Sequence, residues 1–161
     1  MESYGIIIMK DIQTIEQSNE LAIFKRKLDL IDLENAFSQL PQVETELKHN
    51  FSHGIYVREL FIPKDTIIIG KRHRYETCNI VLKGEISIYM GEDIPVKRLK
   101  APCIFNSEPG VKKMGYTHED TIFCNVHATN ERDLDKIEEE FIIPEKEYQL
   151  QNKEGEILCL G

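Results

Sequence analysis

The chain is predicted to fold as mainly antiparallel β structure, one barrel or sandwich with a helix before it and a helix after it. Three observations lead there. From Val43 to Ala128, short runs rich in Ile, Val, Tyr and Phe alternate with turn signals roughly every 8 to 12 residues. Before that stretch, apolar residues recur at helical spacing, and after it they do so again. The boundaries that follow are 1–40 for an N-terminal extension and amphipathic helix, 41–128 for the β-barrel, and 129–161 for a C-terminal helix and tail.

Taken in order, Ile6 to Met9 reads as a short strand or as the start of an ordered tail. Ser18 or Asn19 is placed to cap a helix beginning near Glu20. Leu21, Phe24, Leu28, Ile31 and Phe37 then recur about once per helical turn, with charges between them. A break is expected near Asp32, and the residue before Pro41 ends the helix. The apolar stripe needs a partner, either the sheet that follows or the same helix in a second copy. Strands are expected at 46–50, 54–62, 66–69, 77–82, 85–90, 96–99, 103–106, 112–117 and 121–128. Pro63-Lys64-Asp65, Lys83-Gly84, Glu92-Asp93 and Pro109-Gly110 supply the turns, and His118-Glu119-Asp120 joins the last two strands as a hairpin. Thr129 or Asn130 is placed to cap a helix running to Glu140, with Leu134, Ile137 and Phe141 as its stripe and Pro144 as its stop. In the tail, Ile157, Leu158 and Leu160 are suited to an edge strand.

At 161 residues, 41% of them hydrophobic and 30% charged, the chain can bury a single core. A net charge of −8 argues against a general binder of nucleic-acid backbones. Lys71, Arg72 and Arg74 form a local basic cluster, read as a solvated turn. Cys78, Cys103, Cys124 and Cys159 lie in or beside apolar runs without C-x-x-C spacing, so reduced, unpaired thiols are expected rather than a zinc site. No stretch is long and apolar enough to span a bilayer, and Gly5 to Met9 is too short for a secretory core. The expected location is the cytoplasm.

The stretch 66–84, TIIIGKRHRYETCNIVLKG, gathers polar groups at the rim of the predicted sheet. Set against G-x5-H-x-H-x3,4-E-x6-G, it puts His73, Tyr75 and Asn79 at the two histidine positions and the glutamate position. Gly70 and Gly84 flank them, each closer in than that motif asks. Set against G-x5-P-x-G-x2-H-x3-N, Pro109-Gly110 lacks the intervening residue and Lys113 stands at the histidine position. With these motifs, and the order of strands and turns, the chain resembles the cupin superfamily over roughly residues 40–141. FIPKDTIIIGKRH, NIVLKGEISIY, PGVKKMGY, EDTIF and VHATNERDLDKIEEEF are similar to small cupin-like proteins of tailed bacteriophages. The resemblance implies an antiparallel jelly roll and a phage-type accessory protein of the host cytoplasm. It assigns no reaction, because such folds host many chemistries.

A cupin metal site holds one divalent ion with three histidines and a glutamate, a set suited to Fe, Mn, Ni or Zn. This chain departs from it. On a period of two, His73, Tyr75, Thr77 and Asn79 share one face, and Arg74, Glu76 and Cys78 the other. A phenol and an amide are weak ligands, and a protonated lysine is none. A replacement set is His73 with His127, which shares a side with Phe123 and Asn125, joined by Glu76 if the strand bulges there. Against it stand simpler readings: His73 as a polar rim residue in a turn, and His127 as a strand-end histidine bonded to backbone. Tyr75 reads either as an acid catalyst, as in cupin-fold sugar epimerases, or as a strand aromatic with its hydroxyl in water. Cys78 has no histidine on its own face and reads as an inert thiol. His49, His53 and His118 sit in or near turns and are expected to be solvated.

Two functions are carried forward. The first is a small phage-type accessory protein that binds a small ligand in the barrel, with His73, Tyr75, Asn79, Lys113 and His127 as candidate contacts, or that acts as an interaction module. The alternative is a metal-dependent enzyme of dioxygenase or isomerase type, with His73, Glu76 and His127 around one divalent ion. The expected partners are a second copy of the chain, in a homodimer covering the helix stripe and the open sheet edge, and either a small molecule or a host protein.

Overall fold

The computed structural model describes residues 8–10 and 29–158. In chain order these are β1 (Ile8–Lys10), α1 (Leu30–Phe37), β2 (Glu46–Ser52), β3 (Ile55–Ile62), β4 (Thr66–Ile69), β5 (Arg72–His73), β6 (Thr77–Lys83) and β7 (Glu85–Tyr89). There follow β8 (Lys97–Lys100), β9 (Cys103–Ser107), β10 (Met114–Thr117), β11 (Thr121–His127), α2 (Leu134–Phe141), β12 (Ile142–Ile143) and α3 (Glu145–Leu158). Two five-stranded sheets, in the orders β1-β4-β10-β7-β8 and β2-β3-β11-β6-β9, carry the fold, and a two-stranded sheet pairs β12 with β5. All of these pairings are antiparallel. The result is an antiparallel jelly-roll barrel with helices appended.

Alternation along the strands builds the interior. On β6, Thr77, Asn79 and Val81 are buried, while Cys78, Ile80 and Leu82 face outward. Val81, Ile86 and Ile88 form one core cluster, walled by Leu99, Phe105 and Phe123. A second cluster, Tyr56 with Ile137 and Phe141, lies where α2 meets the barrel. The β6–β7 turn needs a glycine. Gly84 has φ +84°, and a Cβ there would collide with the Asp120 carbonyl oxygen. That close approach ties the turn to the β10–β11 hairpin.

The strands expected between 46 and 128 all form, with ends shifted by a residue or two. The flanks differ more. The helix expected from Glu20, with Leu21, Phe24 and Leu28, lies outside the described residues. Within them, α1 starts at Leu30, capped by the Asp29 carboxylate accepting from the Ile31 N–H, and runs unbroken through Asp32. Asp133, not Thr129 or Asn130, caps α2, accepting from the Asp135 and Lys136 N–H groups. Asn130 instead accepts from the Gly54 N–H at 2.7 Å, fastening the β2–β3 turn. Ile157 and Leu158, expected in an edge strand, belong instead to the helix α3, and Leu160 lies outside the described residues. Pro144 does not itself stop α2, which ends at Phe141 before the strand β12; it precedes α3, whose first turn carries Glu145 and Glu147, favourable charges at a helix N-terminus.

The basic cluster is a clamp rather than a solvated turn. Lys71 pairs with Glu138, Arg72 with Glu145 at 3.1 Å, and Arg74 with Glu147 at 2.7 Å. Lys112 adds contacts to Glu34 at 2.6 Å and Glu145 at 3.5 Å. Together with the β12–β5 pairing, which sets Ile142 opposite His73, these ion pairs strap the C-terminal segment across one end of the barrel. Cys78, Cys103 and Cys124 are free thiols, and Cys159 lies outside the described residues. Among the described residues, no helix is long and apolar enough to cross a membrane.

Candidate functional site

Register brings a polar row together inside the barrel. On the inner face of the second sheet, Arg58 of β3 stands opposite Asn125 of β11, which stands opposite Asn79 of β6. Asn79 is fully buried and held on several sides. Its Nδ2 donates to the Thr77 carbonyl at 2.8 Å, the Phe105 carbonyl at 3.2 Å and the Ser107 hydroxyl at 3.1 Å. Its Oδ1 accepts from Asn125 Nδ2 at 2.9 Å and from Lys113 Nζ at 3.3 Å. Lys113, just before β10, also donates to the Ser107 hydroxyl at 3.0 Å. Both its acceptors are neutral oxygens, and burial lowers its pKa from the ordinary value to about 8.

Between the two sheets lies a cavity of about 70 Å³. Its walls are apolar side chains from both sheets, with Leu60, Ile62 and Phe123 on one side and Ile68, Ile86 and Ile88 on the other. Its polar lining is Arg58, Lys71, His73, Lys113 and Asn125, without a carboxylate.

His73 and His127 converge as the replacement set anticipated, but in a different environment. The rings sit edge to face at 5.3 Å between centroids. His127 is packed by Tyr56 at 5.8 Å and Phe141 at 4.6 Å, an aromatic box at the strapped end of the barrel. His73 Nδ1 lies 2.7 Å from the Thr77 hydroxyl, which is also 3.1 Å from the Tyr75 carbonyl. One assignment satisfies both bonds: Thr77 donates to the carbonyl and accepts from Nδ1–H, which leaves Nε2 as the unprotonated nitrogen. Burial, then the charge of Lys113, the neighbouring His127 and Arg58, takes the pKa of His73 down to about 2. Burial, then Arg58 and Lys113, takes that of His127 down to about 4. Both imidazoles are therefore neutral at neutral pH.

Of the predicted contacts, the structure brings His73, Asn79, Lys113 and His127 inward and leaves out Tyr75 and Glu76. His73 and Lys113 line the cavity, and Asn79 supports Lys113 from behind. Tyr75 is 51% exposed, with its ring edge on Phe141. Glu76 is exposed and accepts from Asn106 Nδ2 at 2.6 Å. Glu76 stays on the outer face where alternation put it, and for Tyr75 the physical reason is a break in the strand. β5 ends at His73 and β6 begins at Thr77, so alternation does not run through 74–76. His73 is thus a buried strand residue, not part of a polar rim. His49, on β2, and His118, in the bend after β10, are hydrogen-bonded and half-buried rather than solvated: His49 Nδ1 lies 2.8 Å from the Tyr56 hydroxyl, and His118 Nε2 lies 2.8 Å from the Ser87 hydroxyl. Sequence reasoning missed Arg58, Ser107 and Asn125 as site residues. Arg58 had a readable signal, a lone cation in the inward row Tyr56, Arg58, Leu60, Ile62 of an otherwise apolar strand face.

This donor set does not fit a divalent metal. Among the described residues, no group of three or more His, Cys, Asp or Glu side chains is placed to hold one. The two imidazoles instead share their surroundings with Lys113 and Arg58, charges that repel a cation.

The two opposed sheets define an antiparallel jelly-roll barrel. No family model matches the chain, and no curated protein matches it in sequence. Solved structures similar to it include a cupin-like protein from Thermotoga maritima, with TM-score 0.45 and 12% identity over 52% of this chain and 68% of that one. A second is an RmlC-like cupin from Shewanella frigidimarina, with TM-score 0.46 and 18% identity over 56% of this chain and 80% of that one. A third is an uncharacterized conserved protein with a double-stranded β-helix domain from Klebsiella pneumoniae, with TM-score 0.46 and 22% identity over 55% and 80%. These likenesses carry no activity across.

Proposed function

We propose that the protein is a small-ligand-binding module, a cupin-type barrel that holds a small molecule between its sheets without metal chemistry. The observation that carries the reading is the cavity itself, with apolar walls from both sheets and polar groups of His73, Lys113, Arg58 and Asn125 in its lining. This is the usual make-up of a small-molecule site. The phage-type accessory role, in the host cytoplasm, is supported by the sequence resemblance over 61–141. Ligand-observed NMR with a library of small fragments tests the reading. Wild-type protein should bind a subset, and Ile68→Phe, which fills the cavity from one wall, should lose that subset. The same subset bound equally by both proteins would refute it.

A second reading, self-association, has its own observation. The outer face of the second sheet is apolar across neighbouring strands: Ile80 of β6 lies opposite Ile104 of β9 and Cys124 of β11. Leu82 and Ile104 are 54% and 68% exposed. A second copy of the chain presents the same apolar face, and a two-fold pairing would cover like with like. Light scattering should give a dimer that Leu82→Asp with Ile104→Asp converts to monomer. A wild-type monomer at high concentration would refute it.

A further inference from the structure

Lys113 sets the chemistry that the cavity can accept. Its ammonium reaches inward, fixed by Asn79 Oδ1 at 3.3 Å and Ser107 Oγ at 3.0 Å. Asn79 cannot turn away, because its Nδ2 is committed to Thr77, Phe105 and Ser107 while Asn125 holds its Oδ1. No carboxylate pairs with Lys113 among the described residues, whereas neighbouring Lys112 pairs with Glu34 and Glu145 and Lys71 pairs with Glu138. Arg58 adds a second cation to the same lining. A half-buried cation facing only neutral oxygens lacks the opposite charge that burial calls for. The rest of the wall limits what can supply it. Leu60, Ile62, Ile86, Ile88 and Phe123 favour hydrocarbon over a multiply charged group. A volume of about 70 Å³ corresponds to about five water-sized groups.

We infer that the cavity takes a small organic monoanion, a short-chain carboxylate whose head group meets Lys113 and whose apolar body lies against Leu60, Ile86 and Ile88. This rests on the ligand-binding reading above and deepens it. The carboxylate completes the ion pair that the fold leaves open, in charge-assisted hydrogen bonds, the stronger class. His73, neutral with Nδ1 committed to Thr77, adds no competing positive charge.

The test is calorimetric titration with butyrate, butyramide and n-butylammonium, which share a shape and differ in charge. Butyrate should bind, and the amide and the ammonium should not. Lys113→Met, which keeps the stem, should weaken butyrate by about tenfold to a hundredfold, while Tyr75→Phe, outside the cavity, should leave it unchanged. A readout on the wild-type chain guards against a misfolded variant. Butyrate affinity should fall above about pH 8, as Lys113 loses its proton. The groups facing Lys113 are Asn79 and Ser107, with Arg58, Lys71 and His73 in the same lining and His127 beside His73, and both histidines are already neutral there. Affinity that is flat between about pH 7 and 10 would overturn the inference. Equal binding of butyramide, unaffected by Lys113→Met, would overturn the charge assignment and leave the ligand-binding reading standing. Failure of all three probes, with the same fragments bound by wild type and Ile68→Phe, would sink both.

Discussion

Lowering the pH from 7 to 5 protonates histidines in the unfolded chain but leaves His73 and His127 neutral in the folded one. Their folded pKa values are lowered to about 2 and about 4, against an ordinary value of 6.5. Because the unfolded state binds the extra protons, stability is full above the unfolded pKa and is lost as the pH falls below it. Each neutral histidine costs about 1.4 kcal/mol per pH unit below 6.5. At pH 5 that amounts to about 2 kcal/mol for each, and about 4 kcal/mol for the pair. Against a typical domain stability of about 5–15 kcal/mol, this is a large share. His118, lowered first by burial and then by Arg98, acts in the same direction. Glu85, Glu131 and Glu147 are held below the ordinary carboxylate range by Arg98, by backbone N–H groups and by Arg74, so their contribution is lost only in stronger acid. Urea unfolding followed by circular dichroism at pH 7, 6 and 5 reads the loss directly. His127→Gln should remove roughly half of the slope. A loss below about 1 kcal/mol over this range, or a slope unchanged in His127→Gln, would refute the picture of two buried neutral imidazoles.

Three further outcomes are expected. Gly84→Ala should destabilise by about 1–3 kcal/mol from its φ of +84° alone, with the contact to the Asp120 carbonyl adding to it, read as a fall in the urea midpoint at unchanged m-value. Arg72→Ala removes the Glu145 ion pair, the bond to the Gly110 carbonyl at 2.7 Å and stacking on Tyr148 at 3.8 Å. It should cost about 2–4 kcal/mol and raise amide hydrogen exchange across β12 and α3, whereas unchanged exchange there would show that the strap is held by other contacts. Arg74→Ala touches a pair near the surface, and its unfolding midpoint should stay within error of wild type.

The barrel was legible in the sequence because strand formation here is local. Thr66–Ile69 is β-branched at every position, Glu85–Tyr89 carries isoleucine at period two, and turn residues such as Asp65 and Gly84 supply the positive φ that their positions require. The inward placement of Asn79 and His127 followed from the same alternation. The strap was not legible. β5 pairs with β12 from far along the chain, and the basic residues of 71–74 find their carboxylates on α2 and α3. Nothing within the window 66–84 signals such partners.

The sequence by itself determined the class of fold, since strand and turn signals depend on residue type and period alone. Only the tertiary structure decided which polar groups meet. The break between β5 and β6 turned Tyr75 outward, register set Arg58 and Asn79 on either side of Asn125, and Lys113 was brought to Asn79 from a separate stretch of chain. Burial and charge at such a site are properties of neighbours in space, and no local pattern encodes them.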